Sequence, residues 1–183
     1  YDDNTQEPIF ALVENEDGYQ TYTFARNVYM LFSPAGQKHF TATSGAFRPA
    51  QVTVTAPEGG RVRQDFYLTS GKPVIDHPML HAALGPGQAT TLPLTITNIG
   101  ALQMSYAIDL KPIGFAPANV QPTSAGNVAW LAAAPLSGTL PVSGSQVVAI
   151  TFDAGAAAVD QPGAYHAALQ LDTDTPYEGE AIP

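Results

Sequence analysis

The chain reads as all-β, with two antiparallel Greek-key sandwiches in tandem. Three observations carry this. Apolar residues alternate with small or polar ones in GQATTLPLTITNIGALQMSYAIDL, SGTLPVSGSQVVAITFDA and GAYHAALQLDTDTP, and a period of two is that of a half-buried strand. Gly, Pro or Asn interrupts each run, and the 16 Gly and 16 Pro suit many short strands joined by turns. No stretch sustains a helix: the Ala-rich LAAAPL and DAGAAAVD are broken by Pro135 and Gly155, well short of the ~12 residues an isolated helix needs.

In the first segment, strands are expected over Ile9–Val13, Tyr19–Thr23, Asn27–Phe32, Lys38–Thr43, Val52–Ala56 and Val62–Leu68. Turn signals separate them: Glu16-Asp17-Gly18, Pro34-Ala35-Gly36, Ser44-Gly45 and Glu58-Gly59-Gly60. The last two strands read as a hairpin with Gly59 and Gly60 at its tip. Alternation lapses over Thr69–Pro78, which gives a seam and two domains, 1–71 and 72–183. A seam this short and Pro-bearing is expected to limit the angle between them.

The second segment resumes with Met79–Leu84, the turn Gly85-Pro86-Gly87, and a long strand over Ala89–Thr97. Asn98-Ile99-Gly100 turns the chain into Leu102–Leu110, and a looser Pro-, Ala- and Gly-rich region follows over Lys111–Asn127. Strands are then expected at Val128–Leu131, Gly138–Pro141, Gln146–Phe152 and Ala164–Leu171, with a last one starting at Glu180–Pro183. Turn signals every 8–12 residues are those of an immunoglobulin-like sandwich.

Composition narrows the function. The 183 residues carry only 13% charged side chains and a net charge of −9, with seven Lys plus Arg. A surface that tracks phosphates needs clustered bases, and only Arg61 and Arg63 come close together. Nucleic acid is therefore not an expected partner. No apolar run approaches the ~20 residues that span a bilayer, so no membrane insertion is expected. The absence of cysteine removes disulfides, thiolate chemistry and Cys-ligated zinc. An acidic, Cys-free, Thr/Gly/Pro-rich β-protein suits a secreted or cell-surface bacterial polypeptide. The opening Tyr1 and the lack of a signal peptide suggest a piece of something longer.

Several clusters were weighed for chemistry. Asp76, His77 and His81 are metal-type ligands, but on a strand two imidazoles four residues apart lie ~13 Å from each other, while Pro78 and Gly85 oppose a helix. Asp172, Asp174, Glu178 and Glu180, and separately Asp2, Asp3 and Asn4, are oxygen-rich turns of the kind that holds calcium, without the spacing of a known calcium loop. Trp130, the sole tryptophan, reads as a core residue. Tyr19, Tyr22 and Tyr29 form a possible aromatic strip for stacking on sugars. Lys38, Lys72 and Lys111 are conceivable isopeptide donors to Asn. No G-x-S-x-G elbow is present. No catalytic, cofactor-binding or metal-binding residue is assigned, no cofactor is expected, and the chain is expected not to be an enzyme.

Two family resemblances enter here. EPIFALV, YTFARNVYMLFSPAGQKHFTATSGAF and VTVTAPEGGRVRQDFYL resemble a carboxypeptidase regulatory-like domain, whose fold is a transthyretin-like sandwich. Asp65-Phe66-Tyr67-Leu68 matches that family's ending, while Arg26-Asn27 stands where Asp-Gly is usual. GPGQATTLPLTITNIG, AWL, SGTLPVSGSQVVAITFDA and GAYHAALQLDTDTPYEGEAIP resemble the immunoglobulin-like modules of bacterial surface proteins, akin to the BACON and ASPM/SPD-2/Hydin groups. Together these imply a non-catalytic accessory and spacer module of a large secreted enzyme, notably a subtilisin-like peptidase. The expected partners are adjacent domains of the parent polypeptide and a protein or polysaccharide substrate. A carbohydrate-binding module is the alternative. The resemblance also implies missing outer strands, and hence unpaired backbone edges at the ends.

Overall fold

The computed structural model describes residues 1–24, 27–117, 128–177 and 179–183. Among them there is no α-helix, and the strands form three antiparallel four-stranded sheets. The chain divides into two compact units, Tyr1–Lys72 with Gly100–Leu102, and Pro73–Ile99 with Gln103–Pro183. Ten of the looser residues, 118–127, together with Arg26, lie outside the described residues.

In the first unit, β1 (Leu12–Asn15), β2 (Gln20–Tyr22), β3 (Gly36–Thr43) and β4 (Ala50–Ala56) form one sheet in the order β2-β1-β3-β4. Alternation decides the inner face: Val13, Phe40, Ala42 and Val54 are buried, and Thr41 and Thr53 turn away from them. Asn15 closes the β1–β2 hairpin by accepting the N–H groups of Asp17 and Tyr19, and Gly18 takes the left-handed backbone (φ 85°) that the turn demands.

Two expected strands are not in the ladder. Asn27–Phe32 contributes an isolated bridge from Val28 to Phe24, and Val62–Leu68 contributes one from Leu68 to Asp2. The expected hairpin across Gly59-Gly60 does not form. Phe66 and Leu68 are buried in the core with Tyr29 and Leu31 packed against it, so these segments cover the inner face as extended coil. Alternation had marked which side chains turn inward. Their backbones bond instead to whatever lies near, as Leu68 N–H does to Tyr1 C=O.

The second unit is a two-sheet sandwich. One sheet is β5 (Pro73–Ile75), β6 (Ala89–Asn98), β10 (Ser145–Asp153) and β8 (Leu131–Ala134), in the order β5-β6-β10-β8. The other is β12 (Glu180–Ile182), β11 (Gly163–Thr173), β7 (Met104–Pro117) and β9 (Ser137–Leu140), in the order β12-β11-β7-β9. The chain changes sheet at every connection from β6 to β11, which is the plan of an immunoglobulin-like fold. Leu94, Ile96, Val148 and Ile150 from the first sheet meet Met104, Tyr106, Leu169 and Leu171 from the second in one core. Trp130 lies in the same core at 9% exposure, in keeping with its reading from sequence. Met79–Leu84, expected as a strand, is outside every ladder.

Pro93 sits mid-strand in β6 opposite Ala149, where a proline ordinarily removes a ladder bond. Thr95 exchanges its backbone groups with Asp76 on the β5 side. By alternation, Pro93 therefore turns its missing N–H to that same side, beyond the end of β5. The proline costs the sheet nothing there.

Tyr106 carries the one flaw found among the described buried side chains: its hydroxyl has no hydrogen-bond partner. Burial pushes its pKa up. Leaving a buried hydroxyl unsatisfied costs about 1–3 kcal/mol. Tyr106→Phe should therefore raise stability by about 1 kcal/mol, measured by urea unfolding followed through Trp130 emission. A loss of stability would mean that the hydroxyl has a partner after all.

Candidate functional site

The polar residues singled out from sequence are placed by the fold mainly against its own backbone. Asp2, 3% exposed, accepts the Asn4 N–H on Oδ1 and the Thr5 hydroxyl on Oδ2. Asn4 donates to the Ser70 carbonyl and hydroxyl and accepts the Ala101 N–H. The first oxygen-rich cluster thus builds a turn. In the second, Asp174 Oδ1 accepts the Ser105 N–H at 2.8 Å and Asp172 is exposed. Glu178 and the side chain of Glu180 lie outside what is described. Among the described residues, no three His, Cys, Asp or Glu side chains gather as a metal-holding group.

Asp76 continues the work of β5 past its end: its Oδ1 takes the Thr95 N–H at 2.8 Å and lies 2.9 Å from His77 Nδ1. Burial pushes this carboxyl up, but the bonds from Thr95 and His77 outweigh it and hold the pKa at about 2, below the ordinary 3.8. Because the folded value is depressed, the stabilisation is complete above about pH 4 and is lost as the pH falls toward 2. The side chain is 37% exposed, so screening limits the effect to under ~1 kcal/mol. The difference in melting temperature between the native chain and Asp76→Asn should be present at pH 7 and vanish near pH 2. A difference that persists at pH 2 would place the effect elsewhere.

The lysines are spread apart. Lys38 Nζ bonds Asp17 at 2.9 Å and lies 3.6 Å from Glu16, and Lys111 lies 3.9 Å from Asp109. Arg63 forks onto Asp65.

The aromatic strip differs from the expected one. Tyr29 turns inward, packs against Phe66 at 5.9 Å and donates to the Gln64 carbonyl, and burial pushes its pKa to about 12. Tyr22 stacks instead on Phe10, with centroids 5.2 Å apart and planes within 5°. Both rings are exposed, as are Tyr19 and Phe24. Sequence reasoning missed Phe10, whose position two residues before Leu12 places it on the outer face of the sheet.

The largest concavity lies in the second unit and had no signal in the sequence. A cavity of about 930 Å³ opens between β11 and the Met79–Pro86 segment, floored by Trp130, Leu131 and Phe152. Trp130 packs edge-on to Tyr165 at 6.0 Å and stacks with Phe152 at 6.3 Å. Asp153, Asp160, His81 and His166 also line it. Asp153 Oδ1 is already engaged by the Gly155 N–H at 2.7 Å. The size matches a ligand site, and its walls are largely apolar.

No family model matches the chain, and no curated protein matches it. Among solved structures it is similar to the ASH / PapD-like domain of human CEP192 (PapD-like domain 7), with a TM-score of 0.43 and 21% sequence identity over 56% of this chain and 69% of that one.

Proposed function

We propose that the chain is a non-catalytic accessory module of a larger secreted or cell-surface protein. It positions neighbouring domains and offers a surface to a protein partner. The subtilisin-like peptidase context implied by the resemblance in the sequence belongs to the same proposal. One observation carries the reading: Asp2, Asp76, Asp153 and Asp174 all spend an oxygen on backbone N–H groups of their own turns and strands. Carboxylates used this way stabilise loops and are poorly placed to move a proton to a substrate.

The test uses the whole 183-residue chain against chromogenic peptide, ester and glycoside substrates, and in gels containing polysaccharide. No turnover and no retardation are expected. Turnover that disappears in Asp160→Asn or His166→Ala would overturn the non-catalytic reading. The Phe10–Tyr22 stack favours a second reading, a carbohydrate-binding module, since exposed rings are platforms for sugars. Retardation in the gel that is lost in Tyr22→Ala would establish it in place of the first.

A further inference from the structure

We infer that the cavity in the second unit, with the adjoining edge of β11, accepts an extended strand from another polypeptide, laid antiparallel to Gly163–Ala168 in line with β12. This deepens the protein-contact reading above and rests on it. The ladder between β11 and β12 covers Leu169–Leu171 only, while β11 runs on to Gly163 alongside β7. Ile108 donates its N–H to Leu136 on the β9 side, and Asp174 donates to Ser105 of β7. In an antiparallel ladder these directions alternate. Leu171, Leu169 and Ala167 therefore turn their N–H and C=O groups away from β7, toward the β12 side. The register shift at His166/Ala167 places its extra residue, Ile113, on β7, so β11 keeps its alternation.

At Ala167 that outward-facing backbone lies beyond the last β12 pair and borders the cavity. Soluble proteins usually blunt such an edge with a lysine, a proline or a cover. Gly163, Ala164, Ala167 and Ala168 present little side chain at all. The opposite wall, Met79–Pro86, is tied across β12 by the Leu80 N–H bond to Pro183 C=O. It is thereby held apart from β11.

The geometry specifies the partner. Continuing the register past Ile182, which pairs with Leu169 and is buried, every second residue of an added strand would point into the cavity, the first opposite Ala167. A small residue there leaves room for a large apolar one across from it. Asp153 and Asp160 border the cavity and the chain carries a net charge of −9, which favours basic residues on the strand's outer face. Main-chain bonds would supply affinity, and alternate side chains specificity.

The test titrates the 183-residue chain with an eight-residue peptide alternating Ile and Lys, and with an isomer that blocks the four Ile together. Trp130 emission reports the cavity, and hydrogen exchange reports the Ala167 amide. The alternating peptide should shift the emission saturably and slow exchange at Ala167 at least tenfold, and the isomer should do neither. Ala167→Pro, which removes an outward N–H and leaves the β7 ladder intact, should weaken binding at least tenfold. If that variant fails to fold, Ala167→Phe, which fills the cavity, should do the same, while Ala168→Ser should bind as the native chain does. Equal binding of both peptides, an emission shift without protection at Ala167, or self-association of the chain through this edge would each overturn the inference. Absence of peptide binding alongside absence of turnover sinks this inference alone, whereas turnover sinks the broader reading whatever the peptides do.

Discussion

Asn98→Ala should destabilise the second unit by about 2–4 kcal/mol. Asn98 ends β6 and is fully buried. Its Nδ2 donates to the carbonyls of Leu140 and Pro141, at 3.2 and 3.1 Å, and its backbone N–H donates to Gly144. Leu140 ends β9, which belongs to the opposite sheet, so one amide ties the two layers at the point where the chain turns from β9 into β10. Removing it leaves two buried carbonyls short of a donor, each worth about 1–3 kcal/mol when unsatisfied. Asn98→Asp should be no better, because an acceptor-only carboxylate faces two acceptors. Urea unfolding read through Trp130, which lies in this unit, measures both variants. A cost below about 0.5 kcal/mol would show that water or another donor replaces the amide.

Ile150→Ala should cost about 3–4 kcal/mol, within the range for truncating a fully buried Ile. Ile150 is 0% exposed, in mid-β10, flanked on its own face by Val148, also 0% exposed. Val147→Ala lies on the same strand but on the opposite face, 54% exposed, and should change stability by no more than about 0.5 kcal/mol. The pair tests the inward–outward alternation itself: similar costs at both positions would mean that the two faces of β10 are not distinguished as described.

Legibility from sequence varied by element, for reasons particular residues make plain. The strands over Ala89–Asn98, Ser145–Asp153 and Gly163–Thr173 were found within a few residues, because their apolar partners lie two apart over long runs and only one face can be buried. Asn27–Phe32 and Val62–Leu68 have the same alternation yet no ladder. Tyr29, Phe66 and Leu68 do turn inward, so the pattern was right about burial and silent about pairing. Tyr29 was also expected beside Tyr19 and Tyr22. Whether a tyrosine stays outside depends on a carbonyl such as that of Gln64 arriving from 35 residues away.

The candidate site was less legible still. His81, Trp130, Asp153 and Tyr165 are scattered over 85 positions, with no shared motif. They come together only because β11 outruns β12 and the Met79–Pro86 segment is held across the gap.

Sequence alone therefore determined the all-β class, the turns, and which side chains enter the two cores, since these follow from a period of two and from local backbone preferences. Tertiary structure decided which extended segments became ladder strands and where an edge stayed open beside a cavity. A backbone hydrogen bond has its partner on another segment, and nothing local in the chain states which segment will be there.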